Sequence, residues 1–283
     1  MIYLSIKSKY IIFNIVNHKI IQMKKIILFI LICPYFLLGQ VANVNFFFIE
    51  DGKEEDYLKL EEIWSEYHKQ MIEEKKMFGW SLFKIVSTSG DPEQSPDYMT
   101  LDRYESIEAM SSAWESFSMD EFNKLIRKKL RGKMSSKEIK KILESNPKKG
   151  SHTYTIELTD QTLPSVEMEV GEILNVDAMV QKVDDYEKYE TNWAKPIFQN
   201  NVDDGNLRWW GFTKVINRNN QALEEISHFT WRIPVKGKKI DWSSKKNKAM
   251  FGGDFTFGKI TDLVGDSRDI LGRGKLKLIM SVN

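Results

Sequence analysis

"DYLKLEEIW" (56–64) and "DYEKYETNW" (185–193) agree at five of nine positions, 129 residues apart: Asp56/Asp185, Tyr57/Tyr186, Lys59/Lys188, Glu61/Glu190 and Trp64/Trp193. The agreement continues outward. Trp80 follows Trp64 by sixteen residues, and Trp209 follows Trp193 by sixteen. "GWSLFKIV" (79–86) then lies against "RWWGFTKVI" (208–216), with Phe83 on Phe212. A one-residue insertion near Thr213 shifts the offset to 130 and sets "YMTLDRY" (98–104) on "HFTWRIP" (228–234). An offset held through several segments marks an internal duplication.

Both copies carry one succession of patterns. Alternating apolar runs open them, "NVNFFFIE" (43–50) and "ILNVDAMV" (173–180). Helical spacing follows over 54–77 and 184–200, with Asp56 and Asp185 where a first-turn acid meets the positive end of the helix dipole. Two strands come next, joined by "STSGDPEQSP" (87–96) and "NRNNQAL" (217–223). A second helix is clear over 106–130 but poor in the other copy, where "FGGDFTFGK" (251–259) is interrupted by glycine. "HTYTIEL" (152–158) and "KLKLIMSV" (275–282) end the copies. The order β-α-β-β-α-β is the ferredoxin-like unit, so the fold class is α+β, with repeats over 41–162 and 163–283.

One such unit covers a single face of its sheet with helices and leaves the other needing a partner. The chain resembles the dimeric α/β-barrel superfamily, in which two ferredoxin-like units pack sheet to sheet around a shared cavity. The resemblance implies an intramolecular version of that barrel. Alternation assigns the faces. Met99 and Leu101, matched by Phe229, Trp231 and Ile233, are expected to pack under the helices. The opposite face would then line the cavity. It offers Asn45, Tyr98, Asp102, Tyr104, Asn175, Asp177, His228 and Arg232 as ligand-binding residues, with Asn45 matched to Asn175. His228 and Asp102 are the candidate catalytic residues. The plainer alternative is a structural ion pair between Asp102 and Arg232, with His228 as hydrogen-bonded filler.

His68 and His152 read as solvated, and neither has a second metal ligand at short spacing. Trp64, Trp114 and Trp193 read as core. Trp209 and Trp210 are adjacent on a strand and must face opposite ways. No nucleophile elbow, zinc motif, paired-cysteine motif or dinucleotide fingerprint occurs. "AWESFSMDEFNKLIRK" (113–128) is similar to the second helix of the small haem-degrading members of the superfamily, with Trp114 at their ring-distorting tryptophan and Asn45 at their strand asparagine. Those members ligate haem through a histidine further along this helix. No histidine occurs between His68 and His152, so no cofactor is expected.

"MKKIILFILICPYFLLGQ" (23–40) reads as a signal peptide: Lys24 and Lys25, a short apolar run, then a small-residue end. Met23 is then the expected start and residues 1–22 an upstream extension; an amphipathic anchor is the rival reading. The apolar run is too short to span a bilayer, which takes about 20 residues. The mature protein is expected to be secreted, periplasmic or extracellular, with no transmembrane segment. Cys33, the sole cysteine, falls in the leader. Residues 1–40 hold five lysines and no acid, so without them 36 basic residues face 40 acidic ones, which argues against nucleic-acid binding. Basic stretches at 127–149 and 236–248, with Trp242 nearby, are either solvated surface or a site for anionic glycans. The expected function is binding of a small molecule between the sheets, as a monomer or homodimer. The alternatives are a cofactor-independent oxygenase-like enzyme and an anionic-glycan surface module.

Overall fold

The computed structural model describes residues 40–89 and 95–283. The expected upstream extension, and all of the expected leader but Gln40, lie outside the described residues. Among the described residues there are eight strands: β1 (Val41–Ile49), β2 (Gly79–Thr88), β3 (Tyr98–Tyr104), β4 (Lys148–Gln161), β5 (Ile173–Gln181), β6 (Leu207–Arg218), β7 (His228–Pro234) and β8 (Arg268–Val282). They close into one antiparallel barrel in the order β1-β3-β2-β8-β5-β7-β6-β4. The fold is α+β, two ferredoxin-like repeats forming a dimeric α/β barrel within one chain.

The barrel is sealed by its two long strands. β4 bonds β1 through residues 148–157 and β6 through residues 154–161. β8 bonds β5 through residues 268–277 and β2 through residues 274–282. Each long strand thus serves its own repeat with one end and crosses to the other repeat with the rest. The sheets therefore meet edge to edge, and no edge is left open to pair with another chain. Apolar alternation marks only the middle of β4 and the C-terminal half of β8, so both strands are longer than the sequence pattern predicts.

Helix α1 (Glu54–Glu73) opens on Glu54, Glu55 and Asp56. The single helix expected over 106–130 is two, α2 (Ile107–Glu115) and α3 (Met119–Lys129). Ser118 is extended between them and caps the second. α4 (Ser136–Leu143) follows. In the second half come α5 (Tyr186–Tyr189), a π turn (Glu190–Ala194) and α6 (Lys195–Asp203). α7 (Lys245–Met250) and α8 (Asp254–Asp266) complete the set. Gly252 and Gly253 sit between these two at φ +83° and +108°, a conformation glycine adopts without steric cost. The glycines that made this segment look helix-poor thus separate two helices.

The π turn corrects the alignment of the halves. Trp80 lies opposite Asp102, and Trp210 lies opposite Arg232, so β2 and β6 already match at offset 130. His68 packs on Trp80 with ring centroids 5.1 Å apart, and Phe198 packs on Trp210 at the same spacing. The extra residue therefore lies upstream of Thr213, in the wider turn at Glu190–Ala194, where a π bulge absorbs one residue without ending the helix. β1 and β5 are offset further. Asn45 lies opposite Thr100 and Asp177 opposite Thr230, so Asn45 corresponds to Asp177, and Asn43 to Asn175.

Candidate functional site

The two faces of the sheet are the reverse of the expectation. Met99, Leu101, Phe229, Trp231 and Ile233 belong to a cluster drawn from both halves, with Val44, Phe83, Tyr154, Leu174, Leu276 and Leu278: the barrel interior. Tyr98 and Tyr104 instead pack with Tyr57, Met71 and Ala113 of the helices. The reason is closure. A barrel of eight strands fills its interior with side chains from every strand, so the more apolar face turns inward. Helices α1 and α5 bring their own polar groups to the other face.

The polar candidates consequently form two separate groups beneath the helices. In the first half, Asn45 Nδ2 donates to Thr100 Oγ1 at 3.0 Å and to Asp102 Oδ2 at 3.3 Å. Burial, with Glu61 nearby, pushes the Asp102 carboxyl up to about 7, and its Oδ1 meets no hydrogen-bond donor. The Tyr98 hydroxyl donates to Glu54, and the Tyr104 hydroxyl accepts from Trp114 Nε1 at 2.8 Å. In the second half, Arg232 Nη2 meets Asp177 Oδ1 at 2.6 Å. Asp102 and Arg232 hold equivalent positions in the two halves and do not pair with each other. His228 stacks on Phe212, and its Nε2 lies 3.4 Å from Glu187 Oε1. Burial outweighs that carboxylate and holds the imidazole down to about 4, so His228 is a neutral hydrogen-bonding group at neutral pH. Asn175 faces the same side, in register with Arg232.

His68 is buried against Trp64 and Trp80 rather than solvated. Its Nδ1 has no partner, and burial lowers its pKa from 6.5 to about 3. The unfolded chain protonates this ring below pH 6.5 while the folded chain does not, so stability is lost as pH falls from 6.5 towards 3. The shift corresponds to about 5 kcal/mol at the acid end. Phe198 is the equivalent residue of the second half. His68→Phe is therefore expected to keep the fold and make the acid limb of a stability–pH curve, measured by denaturant titration, shallower; the depressed His228 and His152 and the lowered carboxyls of Glu54, Glu74, Glu108 and Glu187 keep part of the slope. An unchanged acid limb would refute the assignment. His152 is half-buried, edge-on to Phe48 at 5.0 Å.

A cavity of about 440 Å³ occupies one end of the barrel interior, where β1 begins and β3 ends. Phe83, Leu101, Leu174, Trp209, Trp231 and Ile233 form its walls. The segment between β4 and β5 supplies Ser165, Val166 and Met168. Deeper in, Phe46, Tyr154 and Phe229 pack together with centroids 5.2–6.2 Å apart and fill the barrel. Polar groups reach the cavity between the apolar walls, and several are already paired. Gln161 Oε1 accepts from Trp209 Nε1 at 2.9 Å and from Ser165 Oγ at 3.2 Å, and Trp231 Nε1 donates to Thr213 Oγ1 at 2.9 Å. Arg103, Glu167, Ser81, Ser281 and Asn283 also border the cavity. None of the eight polar candidates lines this cavity. Arg103 was missed because the alternation Met99, Leu101, Arg103 reads as an apolar face ending in a surface charge.

Adjacent Trp209 and Trp210 divide as alternation requires: Trp209 lines the cavity, while Trp210 is fully buried against Phe198 and Phe212. The fit to haem fails on the helix that would ligate it. Residues 107–129 contain no histidine, and Trp114 is engaged with Tyr104. Among the described residues no group of three His, Cys, Asp or Glu is arranged to hold a metal, and no helix is long and apolar enough to cross a membrane. The basic stretches are partly neutralised, Lys148 by Glu61, Lys129 by Glu73, Lys246 by Asp204 and Lys248 by Asp254. Trp242 packs edge-on to Phe198 at 5.5 Å instead of offering a sugar platform.

No family profile matches the sequence, and no curated protein matches it. Solved structures do resemble the fold. An anthrone oxidase-like protein is 12% identical, covering 86% of this chain and 93% of its own, with a TM-score of 0.45. A protein described as a monooxygenase from Fusobacterium nucleatum is 12% identical over 87% of this chain and 95% of its own, with a TM-score of 0.47. A heme-binding protein from Thermus thermophilus is 11% identical over 86% of this chain and 92% of its own, with a TM-score of 0.42. Likeness at that level carries no argument about what this chain binds.

Proposed function

We propose that this protein, exported under the leader-like residues 23–40, binds a small and largely apolar molecule inside its barrel. The observation that supports the reading is the cavity of about 440 Å³ at one end of an otherwise filled interior. Its size falls within the range of about 300–1,000 Å³ usual for small-molecule sites, and its makeup, apolar walls with a few placed polar groups, is also theirs. An oxygenase-like reaction in the same space would need a base other than Asp102 or His228, because both lie under the helices.

The neutral dye N-phenyl-1-naphthylamine tests the proposal. Its fluorescence is expected to rise saturably on addition of the protein. Leu101→Trp, which fills the cavity from its wall, is expected to abolish that rise while the thermal melt stays cooperative. A wild-type protein that leaves the dye dark would overturn the reading.

A further inference from the structure

Arg103 is the anomaly of the cavity. Arg232 meets Asp177, Arg268 meets Glu190 and Arg208 meets Glu172, while half-buried Arg218 is held by the backbone carbonyls of Leu223 and Glu224. Among the described residues no carboxylate lies in ion-pair range of Arg103. Its Nη2 donates to the side-chain oxygen of Asn283 at 2.6 Å, while its Nε is buried with no acceptor. The backbone makes room for it. Gly79 lies directly opposite on β2, and a Cβ there would stand 2.3 Å from Nη2. Burial disfavours the guanidinium, and the opposing influence is the Glu167 carboxylate, which borders the same cavity but stands outside ion-pair range. A half-buried guanidinium whose Nε is shut off from water and meets no acceptor is costly, and such a group in a native fold calls for an explanation.

We infer that the molecule held in the barrel is a ring-bearing organic anion, with its carboxylate, sulfonate or comparable acidic oxygens on Arg103 and its rings between Trp209, Trp231 and Phe83. This rests on the proposed lumen site and names the class of its ligand. The geometry sets the orientation. Arg103 stands at the rim beside Gly79 and Asn283, whereas Phe83, Leu101 and Trp231 lie further in, so the charged end faces the opening. The planar guanidinium fork suits acidic oxygens, and the indole faces suit flat rings. Ligand binding would supply a counter-charge in direct contact, which Glu167 does not.

Two dyes of similar ring size separate charge from shape: 8-anilinonaphthalene-1-sulfonate, an anion, and neutral N-phenyl-1-naphthylamine. Arg103→Gln is expected to weaken the anion by at least about tenfold, the loss of a hydrogen bond to a charged group, and to leave the neutral dye within about twofold. The wild-type preference should persist in 0.5 M salt, because a buried pair is poorly screened. Gly79→Ala, whose methyl displaces the guanidinium, is expected to repeat the pattern and serves if Arg103→Gln does not fold. Leu101→Trp should remove both dyes, which excludes binding elsewhere on the surface. Equal affinities for the anion in wild type and Arg103→Gln overturn the inference, as does a parallel loss of both dyes in a variant with an unaltered melt. If the neutral dye does not bind the wild type, the lumen reading itself has failed.

Discussion

Glu190→Ala is expected to lower the unfolding free energy by about 3–5 kcal/mol, the usual cost of leaving one member of a buried ion pair unpaired. Glu190 Oε1 lies 3.1 Å from Arg268 Nε, in close contact but poorly aligned for a hydrogen bond. Burial raises the Glu190 carboxyl even with Arg268 beside it, so the pair sits in a strongly desolvating place. Tyr186 completes the unit, with the guanidinium 5.9 Å from its ring centroid. The first half has the same unit: Glu61 meets Lys148 at 2.9 Å, and Lys148 stands 5.3 Å from the ring centroid of Tyr57. Tyr57, Glu61, Tyr186 and Glu190 are all buried. This is why the chain writes the same helix opening twice. Urea titration of the single variant, and of Glu190→Leu combined with Arg268→Met, would test the argument. The pair should recover most of the loss, because apolar replacements remove both desolvated charges together. A single-variant loss below about 1 kcal/mol would contradict the buried unit.

Trp210→Ala is expected to cost about 3–5 kcal/mol, the range for removing a large aromatic side chain from a packed core. The ring is fully buried, stacked 5.1 Å from Phe198 and 6.2 Å from Phe212. Its neighbour Trp209 should behave differently. It borders a space that already exists, so Trp209→Ala removes wall contacts without opening a sealed void and is expected to cost about 2 kcal/mol or less. It should also enlarge the cavity and admit bulkier dyes. Denaturation of both variants, with N-phenyl-1-naphthylamine binding to the Trp209→Ala protein, distinguishes the two faces of β6. Equal losses would mean that alternation does not divide these residues between lumen and helix layer.

The repeat made the element order legible, because paired Trp, Tyr and Glu residues recur where both halves need the same contacts. The faces were not legible. Met99, Leu101 and Phe229 would suit a helix-covered surface as well as a barrel interior, and alternation separates faces without naming them. Closure decided between them, and closure depends on strand ends whose residues lack clear alternation. The candidate residues came from the polar face and followed it under the helices. Asp177, Arg232 and His228 are paired or packed there, Asp102 is held through one oxygen by Asn45, and the cavity belongs to the other face. Arg103 is hidden in sequence by its position at a strand end, where a charge normally means solvent. The register between β1 and β5, and the residue absorbed by the π turn, were equally beyond reach, since both depend on pairing across distant strands.

Ser81 on β2 and Ser281 on β8 stand directly opposite each other across the seam between the halves, and both border the cavity. Opposed residues of an antiparallel pair have Cα atoms about 4.5–5.5 Å apart, within disulfide reach. In a Cys33→Ser background, oxidation of the Ser81→Cys/Ser281→Cys protein should give an intramolecular disulfide quantitatively, with no dimer on a non-reducing gel and with a raised melting temperature. Free thiols after oxidation, or cross-linking only between molecules, would show that the two halves do not close into one barrel.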